Sequence, residues 1–124
     1  MPFEDTTPIM EKLLGGEWRL IKPVVYTTSA GHRIEVPAGF LTDLASVPWG
    51  LWNVFPPAGD YTPAAIIHDY LYERQGKVHE GPAYSRAECD SIFLEAMQDM
   101  GISWLRRNLM WLAVRVGGRH AWET

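Results

Sequence analysis

No stretch constrains the fold as tightly as Thr62 to Gly76, because both ends of a helix and its inward face are written into it. Thr62 suits the N-cap, and Pro63 the first helical position, where a missing N–H leaves no hydrogen bond unmade. Gly76 suits the left-handed position that closes a helix. At about 100° per residue, Ala64, Ile67, His68 and Leu71 fall on one stripe. An imidazole therefore enters an apolar face, with Asp69 at the margin of the stripe and Tyr72 one turn beyond His68.

The chain has 124 residues, enough for a single domain with a real core. A net charge of −4 argues against a nucleic-acid backbone as the main partner, since such binding needs clustered cations. Arg106, Arg107, Arg115 and Arg119 amount to a local patch. The one cysteine, Cys89, rules out an intrachain disulfide, and its apolar neighbourhood predicts an inert core thiol. No apolar run approaches the roughly 18 residues of a membrane span, and no signal-peptide core opens the chain. Trp18, Trp49, Trp52, Trp104, Trp111 and Trp122 suit either an aromatic core or a contact surface.

Taken in order, the chain predicts an α+β domain. Residues 1–16 form an N-terminal arm with a short helical turn at Ile9–Leu14, stopped by Gly15-Gly16. Residues 17–42 form a small antiparallel β-meander. Trp18 to Thr27 is rich in strand formers, but Pro23 makes it an edge strand or a broken one. Ser29 to His32 reads as a turn into the alternating Arg33-Ile34-Glu35-Val36, and Phe40-Leu41-Thr42 is a third short strand. Residues 43–61, punctuated by prolines and glycines yet rich in Trp, Leu and Val, form an aromatic crossover or lid, the kind of long connection that is usually functional.

Residues 62–118 supply three helices, two of them antiparallel core helices, and residues 119–124 a tail. Ser85-Arg86-Ala87-Glu88 is a capping box and predicts a helix ending near Gly101. Ser103 caps a third helix, ended by Gly117-Gly118. Leu105, Leu109, Leu112 and Val116 line one of its faces, while Met110, Trp111 and Val114 cover much of the rest. A helix apolar on nearly all sides is central in its domain or touches a partner.

Antiparallel packing of the first two long helices brings His68 toward Asp90, since both point inward. A carboxylate on one imidazole nitrogen fixes the tautomer and raises the basicity of the other. Such a dyad can make a water nucleophilic, or can be a buried polar network that holds the domain together. Asp69 and Asp43 supply hard oxygen ligands for a divalent cation such as calcium or magnesium. His32, His79 and His120 show no metal-ligand spacing.

The motifs Phe40-Leu41-Thr42-Asp43-Leu44-Ala45-Ser46-Val47-Pro48 and Ala65-Ile66-Ile67-His68-Asp69-Tyr70-Leu71-Tyr72, followed by Asp90, resemble a family of small proteins. It is the domain-of-unknown-function family 1353, common in bacteriophages and prophages. The resemblance covers roughly Trp18 to Gly118. It implies a phage-encoded chain in the host cytoplasm or incorporated into the virion, with other phage structural proteins or a host protein as partners. It implies no established activity.

His68-Asp69-x-x-Tyr72, with Asp90 in a second helix, is also similar to the two-helix core of secreted phospholipase A2 enzymes. That likeness implies His68 as general base, Asp69 as a calcium ligand, and Asp90 with Tyr72 as the pair that orients the base. The glycine-rich calcium loop and the disulfide framework of those enzymes are missing here. The sequence thus yields two functional expectations. One is a hydrolase acting on an ester or similar bond through His68, Asp90 and Tyr72. The other is a structural or adaptor subunit of a phage tail or baseplate.

Overall fold

The computed structural model describes residues 3–4, 10–14, 17–42, 62–78 and 82–123. The expected crossover, with Asp43, Trp49 and Trp52, lies outside the described residues, as does His79. Among the described residues five strands precede four helices: β1 (Met10–Lys12), β2 (Trp18–Leu20), β3 (Val24–Thr27), β4 (Arg33–Val36), β5 (Leu41–Thr42), α1 (Thr62–Glu73), α2 (Arg86–Asp99), α3 (Trp104–Gly117) and α4 (Arg119–Glu123).

The strands form an antiparallel three-stranded sheet, β1-β2-β5, and a two-stranded one, β3-β4, rather than a simple meander. The two sheets belong to one long bent hairpin. Trp18 faces Thr42 and Val24 faces Val36, so partner numbers add to 60 in both ladders and the register is unbroken across the bend. At the bend the Leu20 N–H donates to the Phe40 carbonyl at 2.9 Å, and the Gly39 N–H to the Leu20 carbonyl at 2.6 Å. Pro23 has no N–H to give, and the ladder breaks there. Turn residue Gly39, at φ +91°, takes the left-handed conformation that favours glycine. β4 alternates as its sequence demands, with Ile34 and Val36 buried and Arg33 and Glu35 exposed.

The helical turn expected at Ile9–Leu14 is a correction. Met10–Lys12 is a strand on the outer edge of β2, with Met10 opposite Leu20. The ladder hydrogen bonds available at that edge override a weak local helix preference.

α1 is the central helix. Pro63 to His68 is buried in an unbroken run, followed by Leu71 and Tyr72. It packs on β3, β4 and β5, on α2, and on α4. Ile66, Ile67 and Leu71 are wholly buried, each stabilising the fold by about 1.5–3 kcal/mol. The Gly76 N–H closes the helix on the Leu71 carbonyl at 2.9 Å, with φ +79°. A side chain there would also strike the Tyr84 backbone, whose N–H bonds the Gly76 carbonyl at 3.1 Å. That contact sets where α2 starts.

At α2 the capping box is present in full. The Ser85 hydroxyl accepts from the Glu88 N–H, and the Glu88 carboxylate accepts from the Ser85 N–H. Tyr26 ties the hairpin to α2 by hydrogen bonds from its hydroxyl to Glu95 and Asp99, at 2.9 and 2.6 Å.

The C-terminal part uses one face of α3 and extends one helix beyond it. Leu105, Leu109, Leu112 and Val116 do not face the core; Met110 and Val114, on the opposite side of α3, do. The Gly117-Gly118 pair ends α3 as expected, with Gly118 as its C-cap at φ −84°, but the expected tail is a correction: Arg119–Glu123 forms α4. Of the four described tryptophans none is buried. Trp104 is exposed, and Trp122 sets its ring edge-on against Tyr72 at 5.3 Å.

Candidate functional site

Three helices converge on one carboxylate. Asp90 comes from the first turns of α2 and is 0% exposed, as is His68 of α1. Asp90 Oδ1 lies 2.7 Å from His68 Nε2 and accepts from the Tyr72 hydroxyl at 2.5 Å. Asp90 Oδ2 accepts from Arg115 Nη1 of α3 at 2.8 Å. His68 and Tyr72 reach the same oxygen because residues four apart on a helix lie one above the other. The imidazole is sandwiched between the rings of Tyr72 and Phe93, with centroids at 4.2 and 4.6 Å.

A second arginine closes the network. Arg86 Nε donates to the Tyr72 hydroxyl at 3.2 Å, so that hydroxyl both donates and accepts. Arg86 Nη2 donates to the carbonyls of Val114 and Arg115 at 2.7 and 2.8 Å. A cation on the last carbonyls of α3 is where the helix dipole favours one. Gly118 is needed for the same reason of space. A methyl group there would sit 2.5 Å from the Val114 carbonyl oxygen and 2.9 Å from the Tyr72 hydroxyl.

The charges follow from these contacts. Burial pushes the His68 pKa down, and this outweighs the pull of Asp90, so the ring is neutral. Burial alone would push the Asp90 carboxyl up. The hydrogen bonds from His68 and Tyr72, with that from Arg115, outweigh it and hold the group below its ordinary range. Burial also raises the Tyr72 phenol, helped by the hydrogen bond to Asp90, so Tyr72 keeps its proton. An ionised Asp90 accepts only, so the ring nitrogen facing it carries the hydrogen. Neutral His68 is therefore the Nε2–H tautomer, and its basic lone pair is on Nδ1.

The structure brings together His68, Asp90 and Tyr72. Asp69, half-buried, accepts a hydrogen bond from the Thr42 hydroxyl of β5. Its expected companion Asp43 lies outside the described residues. Among the described residues no three His, Cys, Asp or Glu side chains converge as a metal site. Calcium takes six to eight oxygens, of which Asp69 on α1 and Thr42 on β5 are the candidates. Cys89 is buried, with its thiol pushed up to about 12, mainly by burial.

Sequence reasoning missed Arg86 and Arg115. A buried acid needs donors for its remaining lone pairs, and that requirement pointed to a cation near Asp90. Arg86 stood in the capping box, and Arg115 on the helix that packs against α2.

No helix among the described residues is long and apolar enough to cross a membrane. Comparison with curated proteins and with solved structures finds no match. The model of one family, "Protein of unknown function (DUF1353)", matches residues 18–114. That span holds β2 through most of α3 and the side chains of His68, Tyr72, Arg86 and Asp90, with Arg115 one residue beyond it, and by it the chain belongs to the DUF1353 family.

Proposed function

We propose that the chain is a hydrolase whose general base is Nδ1 of His68. The observation that carries this reading is geometric: His68 Nε2 and the Tyr72 hydroxyl lie 2.7 and 2.5 Å from the same Asp90 oxygen, which supports the Nε2–H tautomer of His68. A neutral imidazole with its lone pair fixed on one nitrogen is the form a base must have before it acts. In the proposed step Nδ1 takes a proton from water, and the water oxygen bonds to the carbonyl carbon of an ester. The imidazolium then returns the proton to the departing alkoxide. Asp90 stays ionised and stabilises the transient cation, and Tyr72 and Arg115 hold Asp90 in place.

Hydrolysis of p-nitrophenyl esters of graded chain length, with and without calcium, tests the proposal. Wild-type turnover should fall by about 10²-fold or more in His68→Gln, the usual weight of a positioned base. Turnover that survives the substitution ends the proposal. Loss of turnover in Asp69→Asn only when calcium is present supports a cation at Asp69.

A second reading rests on a different observation, the complete burial of His68 and Asp90 and their ties to three helices. In it the same residues form a satisfied polar network in a structural subunit of a phage tail or baseplate. Absence of ester turnover in a folded wild-type protein, with strong destabilisation by Asp90→Asn, favours this reading. The phage source and the virion location come from the resemblance of the two sequence motifs. Mass spectrometry of purified virions and of infected-cell cytoplasm checks both.

A further inference from the structure

α3 carries two opposed apolar faces, and among the described residues only one is buried inside the domain. Met110 and Val114 are fully buried in the core that α1 and α2 build. On the other side Leu105, Leu109, Leu112 and Val116 are 61, 46, 52 and 78% exposed. Their spacing of four, three and four residues puts all of them within a narrow stripe, the alternation of a coiled-coil seam. A contiguous apolar row of this kind is unusual on a monomer's surface.

We propose that this row is the seat of a second copy of the chain, packed antiparallel about a two-fold axis between Leu109 and Leu112. The spacing suits that occupant. Four-three-four reads the same in both directions, so Leu105 meets Val116 of the other copy and Leu109 meets its Leu112. An interface that is its own complement is what two-fold symmetry requires. The charges agree with this. The row is flanked on one side by Arg106 and Ala113, and on the other by Asn108 and Arg115. Antiparallel pairing sets Arg106 across from Ala113 and Arg115 across from Asn108, so each cation meets an uncharged residue.

The seam is about 20 Å long at 1.5 Å per residue. One helix pair of that length buries less than the roughly 1,200 Å² of a standard interface, so a micromolar dimer is expected. Arg115 sits at its rim while holding Asp90, which links association to the buried network. The inference does not depend on the reaction proposed above.

Sedimentation of the full chain over the micromolar range tests it. The wild type should shift from monomer to dimer, and Leu109→Glu/Leu112→Glu should weaken association by at least about tenfold. Both positions are half exposed, so far-UV circular dichroism should be unchanged. Mixing two single variants, Leu105→Cys and Val116→Cys, should give a cross-linked heterodimer under oxidation, while neither variant cross-links to itself. A chain that stays monomeric, a dimer indifferent to the glutamates, or a Leu105→Cys self-cross-link overturns the proposal. So does a monomer that binds anionic phospholipid vesicles through this row.

Discussion

Replacing Asp90 with asparagine leaves the shape of the network almost unchanged and removes its charge. The amide side chain has one acceptor oxygen where the carboxylate has two. If that oxygen stays with His68 and Tyr72, the new NH2 points at Arg115 Nη1, which stood 2.8 Å from Oδ2. Donor then faces donor, and the charge-assisted bond, typically about 1.5–3 kcal/mol, is lost. Arg115 keeps a side chain 32% exposed and can turn to water, which limits the damage on that side. The two remaining bonds fall from charged to neutral strength, roughly half. We expect a net destabilisation of about 3 kcal/mol, at the low end of the 3–5 kcal/mol found when a buried pair is broken. For a chain of this length that is a fall in Tm of about 10 °C. Urea unfolding followed by tryptophan fluorescence measures it. Removal of Arg115 in the same chain (Asp90→Asn/Arg115→Met) should cost less than the two single changes together, because the donor–donor clash is gone. A single change that shifts stability by less than about 0.5 kcal/mol, the size of an ordinary surface substitution, would refute the reasoning.

Other consequences are smaller. Tyr72→Phe removes one of the two donors on Asp90 Oδ1 and should destabilise by about 1.5–3 kcal/mol, the range for a bond to a charged group, read in the same urea assay; under the hydrolase reading it should also slow ester turnover. Gly118→Ala drives a methyl group into the Val114 carbonyl and the Tyr72 hydroxyl and should destabilise by about 1–3 kcal/mol, the range for overpacking, measurable by calorimetry. The pH dependence follows from His68. Its folded pKa is depressed by burial, so the unfolded chain binds the proton first as pH falls. The stability that His68 contributes is complete above about pH 6.5 and is lost below it, toward the folded pKa. A Tm that is level from neutral pH down to pH 5 would contradict this.

Much of the site was legible in the sequence because it rests on local rules. The Pro63 and Gly76 signals bound α1, and the Ser85–Glu88 box starts α2. Helical period alone then turned His68 and Asp90 inward. What the sequence did not reveal were matters of tertiary choice. α3 has two apolar faces, and periodicity cannot say which one α2 covers. Met10–Lys12 is a strand because β2 offers an open edge, a fact outside its own window. The β-hairpin keeps its register through the break at Pro23 because Leu20, Gly39 and Phe40 bond across it. Arg86 and Arg115 look like ordinary surface cations until the buried acid is placed beside them. Gly118 is the helix stop it reads as, and it also lets Tyr72 approach, which the sequence does not show.

The chemistry of the site turns on the protonation of a single ring. Long-range ¹⁵N–¹H correlation spectra of His68 at neutral pH measure it directly. We predict a neutral imidazole with hydrogen on Nε2 and a lone pair on Nδ1, changed in Asp90→Asn. An imidazolium at neutral pH, or hydrogen on Nδ1, would contradict the account.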